Sequence, residues 1–118
     1  MEPARSWYRF DKGGVMSALK RTGTEQRVKL TDEQVHLIAK ALADPRRYDL
    51  LRQIGSSASS TPCTAIHELH PVSAATLSHH MKELETAGLV RAMREGKFVS
   101  YTLRRDVLQA YTDALAEI

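Results

Sequence analysis

Hydrophobic residues recur at helical spacing through the chain from residue 31 onward. A capping box that begins at Thr31 opens a first predicted helix over about 32–43. Asp44 and the proline after it suit the N-cap and first position of a second helix, which ends near Gly55. The small polar residues 56–62 show no apolar period and are predicted to form a loop.

A second pair of helices follows, joined by a tight turn. Ile66 and its apolar neighbours indicate a short third helix that ends before Pro71. Ser73 can cap a fourth helix, which Gly88 stops and whose buried side is predicted to carry Leu77, Met81 and Leu84. A helix, a tight turn and a capped helix in this order predict a helix-turn-helix.

The rest of the chain predicts a hairpin and a last helix. Apolar and polar residues alternate over 90–103 around Glu95 and Gly96, as expected of two antiparallel strands with a basic tip. Residues 104–118 carry a wide apolar stripe, which needs cover from the core or from the same helix of a second subunit. The predicted fold class is therefore mainly α with a small β-hairpin, in the order of a winged helix-turn-helix.

Composition limits the class of protein. The chain has 118 residues, 42% of them hydrophobic, which suits one globular domain rather than a disordered chain. Its apolar runs are far shorter than the roughly 20 residues that cross a bilayer, so no membrane partner is expected. The first residues do not form a secretory signal, and the single Cys63 cannot form an internal disulfide, so the expected location is the cytoplasm.

Charge is distributed unevenly along the chain. Residues 1–30 hold seven basic and three acidic residues, a net charge of +4, whereas residues 31–118 have a net charge of −1. The first segment shows no sustained period, so it is predicted to be a basic, flexible N-terminal arm ahead of a DNA-binding and dimerisation domain over 31–118. Two interpretations of the arm stay open: it docks on DNA or a partner, or Met16 is the natural start.

The side of the fourth helix opposite its buried stripe carries small, hydroxyl and basic side chains. Short side chains allow close approach to a major groove, His79 can hydrogen-bond to base edges, and Lys82 can reach a phosphate. Basic residues of the hairpin lie where they would meet the flanking DNA backbone. His80, nearer the buried side, is predicted to pack and hydrogen-bond at the edge of the domain rather than contact bases.

Four segments, at 41–47, 72–90, 94–97 and 101–103, have the order and spacing of one known family. The chain resembles the ArsR/SmtB family of bacterial winged-helix repressors over about residues 31–118. This resemblance implies a homodimer, built from the first and last helices, that binds a roughly palindromic operator in double-stranded DNA and is released by an inducer of unknown identity. Carried over by position, the expected DNA-binding residues are Ser73, Ala75, Thr76, Ser78, His79 and Lys82 in the fourth helix, with Arg94 and Lys97 in the hairpin.

The metal sites for which this family is known are not matched. The thiolate site needs a Cys-x-Cys pair, whereas Cys63 is alone, and the site on the last helix needs histidine, which residues 104–118 lack. The remaining candidate ligands are Cys63, His67 and His70, at helical spacings of four and three. We expect no metal and no other cofactor, with the two histidines as polar surface or turn residues.

Three functions are weighed. The first is a DNA-binding repressor. The second is a protein-interaction module, in which the last helix and the aromatic arm bind another protein. The third is a repressor that senses a metal or an oxidant through Cys63 and His67. The chain has no phosphate-binding glycine loop and no catalytic motif, so an enzyme is not expected.

Overall fold

A computed structural model describes residues 28–118 of the chain. This part has five helices and a small three-stranded antiparallel sheet, and it confirms the winged helix-turn-helix. The elements in chain order are α1 (Asp32–Leu42), α2 (Pro45–Gly55), β1 (Thr61–Pro62), α3 (Cys63–Leu69), α4 (Ala74–Thr86), β2 (Val90–Glu95), β3 (Phe98–Leu103) and α5 (Arg105–Ala116). Residues 1–27 of the predicted arm lie outside the described residues, whereas Leu30 packs against the core.

The predicted caps of α1 and α2 are present. The backbone N–H of Gln34 donates to Thr31 Oγ1 over 3.1 Å, and the N–H of Thr31 donates to Gln34 Oε1 over 2.8 Å. Asp44 caps α2 by accepting from the N–H of Arg46 over 2.8 Å, and this bond lowers the pKa of the Asp44 carboxyl. Each cap satisfies backbone donors that the first turn of a helix leaves unpaired.

One hydrophobic core joins all five helices to the sheet. Each helix contributes buried apolar side chains to this core, and so do β2 and β3. The largest fully buried side chains are those of Ile38, Leu50, Ile54, Ile66, Met81, Leu84 and Leu89. The core therefore holds α4 by one side along most of its length.

The sheet has the order β1-β3-β2, so the predicted hairpin gains a third strand. β1 lies within the segment 56–62 that was predicted to be a loop, and that prediction is wrong at its end. Thr61 pairs with Tyr101, and Pro62 with Ser100. A strand of two residues is too short to show an alternating pattern, and proline is tolerated there because β1 is an edge strand.

β2 and β3 form a regular hairpin with a two-residue tip. Arg94 pairs with Val99, and Glu95 pairs with Phe98, the last pair before the turn. Gly96, in the turn, has a φ of +61°, a conformation that other residues rarely adopt. We call residues 90–103 the wing.

Candidate nucleic-acid interface

The two sides of α4 have opposite environments, as the helical wheel predicts. Leu77, Met81 and Leu84 are buried in the core. The outer side is accessible over the whole helix, which spans about 20 Å at 1.5 Å per residue. Of the predicted DNA-binding residues in this region, Thr76 is half-buried and the others are exposed: Ser73, Ala75, Ser78, His79 and Lys82.

The acidic residues of α4 are kept away from the middle of that outer side. They are Glu83 and Glu85, both half-buried and both in the last turn and a half of the helix. Glu85 Oε1 lies 3.4 Å from Arg94 Nη2 of the wing, so part of its charge is compensated. The exposed surface between Ser73 and Lys82 is therefore neutral to basic, which suits a polyanion.

Ser73 fixes the start of α4 by two hydrogen bonds. Its Oγ accepts from the backbone N–H of Thr76 over 3.1 Å and donates to Thr76 Oγ1 over 3.0 Å. The other N–H groups of the first turn lie at an exposed helix end. Such an end attracts phosphate through its N–H groups and the helix dipole.

The turn before α4 is held by the two histidines that were candidate metal ligands. His67 Nε2 lies 3.0 Å from the carbonyl oxygen of Val72, and His70 Nε2 lies 2.8 Å from Gln53 Oε1. Because both oxygens can only accept, each Nε2 is a donor. The two imidazoles thus bridge α3 to the turn and the turn to α2.

Cys63 is half-buried at the start of α3. Among residues 28–118, no three side chains of His, Cys, Asp or Glu are grouped so that they could hold a metal ion. The structure therefore does not bring Cys63, His67 and His70 together as a three-ligand site.

His80 packs and hydrogen-bonds in the domain, as predicted, and is more buried than an edge position implies, with 5% of its surface exposed. Its Nδ1 lies 3.3 Å from Arg47 Nη1, and Arg47 Nε donates to the carbonyl oxygen of Ala41 over 2.7 Å. Burial lowers the pKa of His80, so the ring is neutral near pH 7. Because a guanidinium only donates, Nδ1 of the neutral ring is the acceptor.

Arg47 is the positioning residue that sequence reasoning missed. Its side chain connects the end of α1, through Ala41, with His80 on the inner side of α4. Arg47 and His80 are 33 positions apart, so no local pattern relates them. A basic residue three positions after the Asp44 cap of α2 is the only sequence signal.

The wing places basic side chains beside α4. Arg94 and Lys97 are both exposed, Lys97 at the turn and Arg94 within β2. Two large apolar side chains of the wing are also exposed, Met93 and Phe98, and neither was singled out from the sequence. The exposed wing and the exposed side of α4 form the candidate interface. No helix within residues 28–118 is both long and apolar enough to cross a membrane.

Comparison with known proteins identifies the family. A protein-family model described as a helix-turn-helix domain matches residues 42–91. An uncharacterised HTH-type transcriptional regulator of Methanocaldococcus jannaschii is 35% identical over 74 residues, which are 63% of this chain and 82% of that protein. This chain belongs to the helix-turn-helix transcriptional regulators, and its fold is of the ArsR type. Its family and fold are those of DNA-binding regulators, not of enzymes.

Solved structures of such regulators share the fold. A homodimeric winged helix-turn-helix DNA-binding domain of Mycobacterium bovis, a possible ArsR-family regulator, is 26% identical, with a TM-score of 0.59 over 75% of this chain and 87% of that one. An ArsR-like regulator from Rhodococcus sp. RHA1 has a TM-score of 0.63 at 21% identity, over 72% of this chain and 78% of that one.

Proposed function

We propose that this regulator is a homodimeric repressor that binds a two-fold symmetric operator in the cytoplasm and leaves it when an inducer binds. In each subunit α4 lies in the major groove and the wing contacts the backbone beside it. The observation that carries this proposal is the outer side of α4, which is exposed and free of acidic side chains from Ser73 to Lys82.

The roles of the side chains follow from their chemistry and position. Ser73, Ala75, Thr76 and Ser78 allow the first turns of α4 to approach the bases closely, and His79 bonds to a base edge. Lys82, Arg94 and Lys97 contact phosphates, which set register and affinity rather than sequence preference.

The dimer is proposed to form through α1 and α5, which pack against each other within the subunit. α5 buries Val107 and Ala110, whereas Leu115 on its flank is 46% exposed. The described relative from Mycobacterium bovis is homodimeric. A symmetric dimer would place two α4 helices on half-sites about 34 Å apart, one turn of DNA.

Fluorescence anisotropy with DNA from upstream of the gene tests the proposal at fixed salt. The double variant His79→Ala/Lys82→Ala is expected to bind at least about tenfold more weakly, because it loses a base contact and a phosphate contact in each subunit. The control is Arg52→Ala, which removes one exposed cation from α2 and should change affinity less than twofold. Unchanged affinity of the double variant would refute the role of α4.

A further inference from the structure

A groove of about 780 Å³ lies between the wing, α4 and the start of α3. Three buried side chains line it, those of Leu77 and Met81 from α4 and Tyr101 from β3. Its volume is within the range of about 300–1,000 Å³ that is usual for small-molecule sites. We call this space the wing groove. The roles proposed above for α4 and the wing leave its interior unused.

Exposed apolar side chains of the wing also line the groove. Phe98 is 69% exposed and Met93 is 52% exposed. Phe98 pairs with Glu95, two residues after Met93, so the two apolar side chains project from the same face of the hairpin. Arg94 and Tyr101 project from the other face, so the groove reaches both faces of the wing. An organic ring system in the groove would remove the surface of both from water.

The polar groups around the groove favour an anion. Arg94 and Lys97 line it from the wing, against the single carboxylate of Glu95. Tyr101 lines it from the sheet, and burial raises the pKa of its phenol, so the hydroxyl is protonated and can donate a hydrogen bond. Two cations and a donor beside apolar side chains match a ligand with a flat apolar body and one acidic group.

We propose that the wing groove binds an aromatic organic anion, and that this binding excludes DNA. Ser78 of α4 and Lys97 of the wing both line the groove, and both belong to the proposed DNA interface. A ligand between them would occupy the approach to Ser78 and neutralise a cation of the wing. Binding of the anion does not depend on the proposed function, whereas the exclusion of DNA rests on it.

The test uses the full chain and 1-anilinonaphthalene-8-sulfonate, a fluorescent dye that carries a naphthalene ring system, a phenyl ring and a sulfonate. Phe98→Ala and Met93→Ala remove exposed wall residues and should each weaken dye binding, by about tenfold for Phe98. Leu69→Ala is the matched control, because Leu69 is 68% exposed on α3 and does not line the groove. Equal dye affinity in all three variants and the wild type would overturn the proposal. Near-ultraviolet circular dichroism verifies native packing, since partly folded proteins also bind this dye.

The charge requirement is tested with N-phenyl-1-naphthylamine, which has a similar aromatic body and no sulfonate. Lys97→Gln should weaken binding of the sulfonate severalfold and leave that of the uncharged compound unchanged. A parallel loss for both compounds would contradict an anion site.

Competition with DNA completes the test. If the two ligands exclude each other, saturating operator DNA should release the dye, and the dye should raise the apparent Kd for DNA, since linkage is reciprocal. Equal dye affinity for free and DNA-bound protein would overturn the exclusion. Failure of the proposed function would give a different result. In that case His79→Ala/Lys82→Ala would bind operator DNA with wild-type affinity, whatever the affinity for the dye.

Discussion

Two substitutions of Ser73 can separate the folding of α4 from its proposed contact with DNA. Ser73→Ala removes the acceptor for the Thr76 N–H and the partner of the Thr76 hydroxyl. Loss of a serine N-cap costs about 1 kcal/mol of unfolding free energy. With a urea dependence of about 2 kcal/mol per molar, the unfolding midpoint should fall by roughly 0.5 M.

Ser73→Asp should separate the two effects. An aspartate keeps the cap, because its carboxylate accepts from the N–H and the hydroxyl of Thr76, and its charge suits a helix N-terminus. Unfolding free energy should therefore stay within about 0.5 kcal/mol of the wild type. The same charge repels phosphate by roughly 1 kcal/mol at about 6 Å near water. Two subunits would then lose about 2 kcal/mol, roughly a 30-fold loss of operator affinity at low salt.

Urea unfolding at one protein concentration and DNA titration at two salt concentrations measure both effects. The affinity loss of Ser73→Asp should shrink as salt rises, because salt screens exposed charges. If Ser73→Asp unfolds as easily as Ser73→Ala, the cap does not act as described. If it instead binds the operator like the wild type, the start of α4 does not face phosphate.

Three further predictions concern pH, backbone and assembly. Burial lowers the pKa of His80 below 6.5, so as the pH falls the unfolded chain binds a proton at His80 before the folded chain does. The unfolding free energy of the wild type should therefore fall from about pH 7 downward, and by more than that of His80→Gln. Urea titrations across this pH range measure both. Gly88→Ala should lose roughly 1–2 kcal/mol from backbone strain alone, because φ is +82° and the added Cβ would meet only Val107, at 4.0 Å; unchanged unfolding would contradict that conformation. Leu115→Asp should raise the dimer Kd at least about tenfold in light scattering, whereas Thr112→Asp, exposed on the same helix, should not; a stable Leu115→Asp dimer would exclude this face.

Local signals were sufficient for most of the fold. The caps at Thr31, Asp44 and Ser73 act within three residues of themselves, and each is present where the spacing predicts it. The inner side of α4 could be predicted for the same reason, because the apolar residues that recur at helical spacing are those that face the core. Leu69 is an exception: it continues the apolar spacing of α3, but it is the last residue of this seven-residue helix and is exposed.

Contacts between distant segments could not be predicted in this way. β1 exists because Thr61 and Pro62 meet β3, and nothing within residues 56–62 indicates that partner. The bond between Arg47 and His80 likewise depends on how α2 packs across α4. The wing groove belongs to the same class, because five separate elements line it: β1, α3, α4, β2 and β3.

Charge placement explains how a domain without excess positive charge can bind DNA. Residues 31–118 have a net charge of −1, so overall attraction to DNA cannot come from this part of the chain. The exposed side of α4 is nevertheless free of acids from Ser73 to Lys82, and Arg94 lies against Glu85 where the helix turns acidic. Contacts placed in this way favour a correctly docked site over random DNA, since misplaced phosphates would meet the remaining carboxylates. The +4 charge of residues 1–30 does not depend on a correctly docked position. Deleting these residues should therefore weaken binding to random DNA more than it changes the preference for the operator.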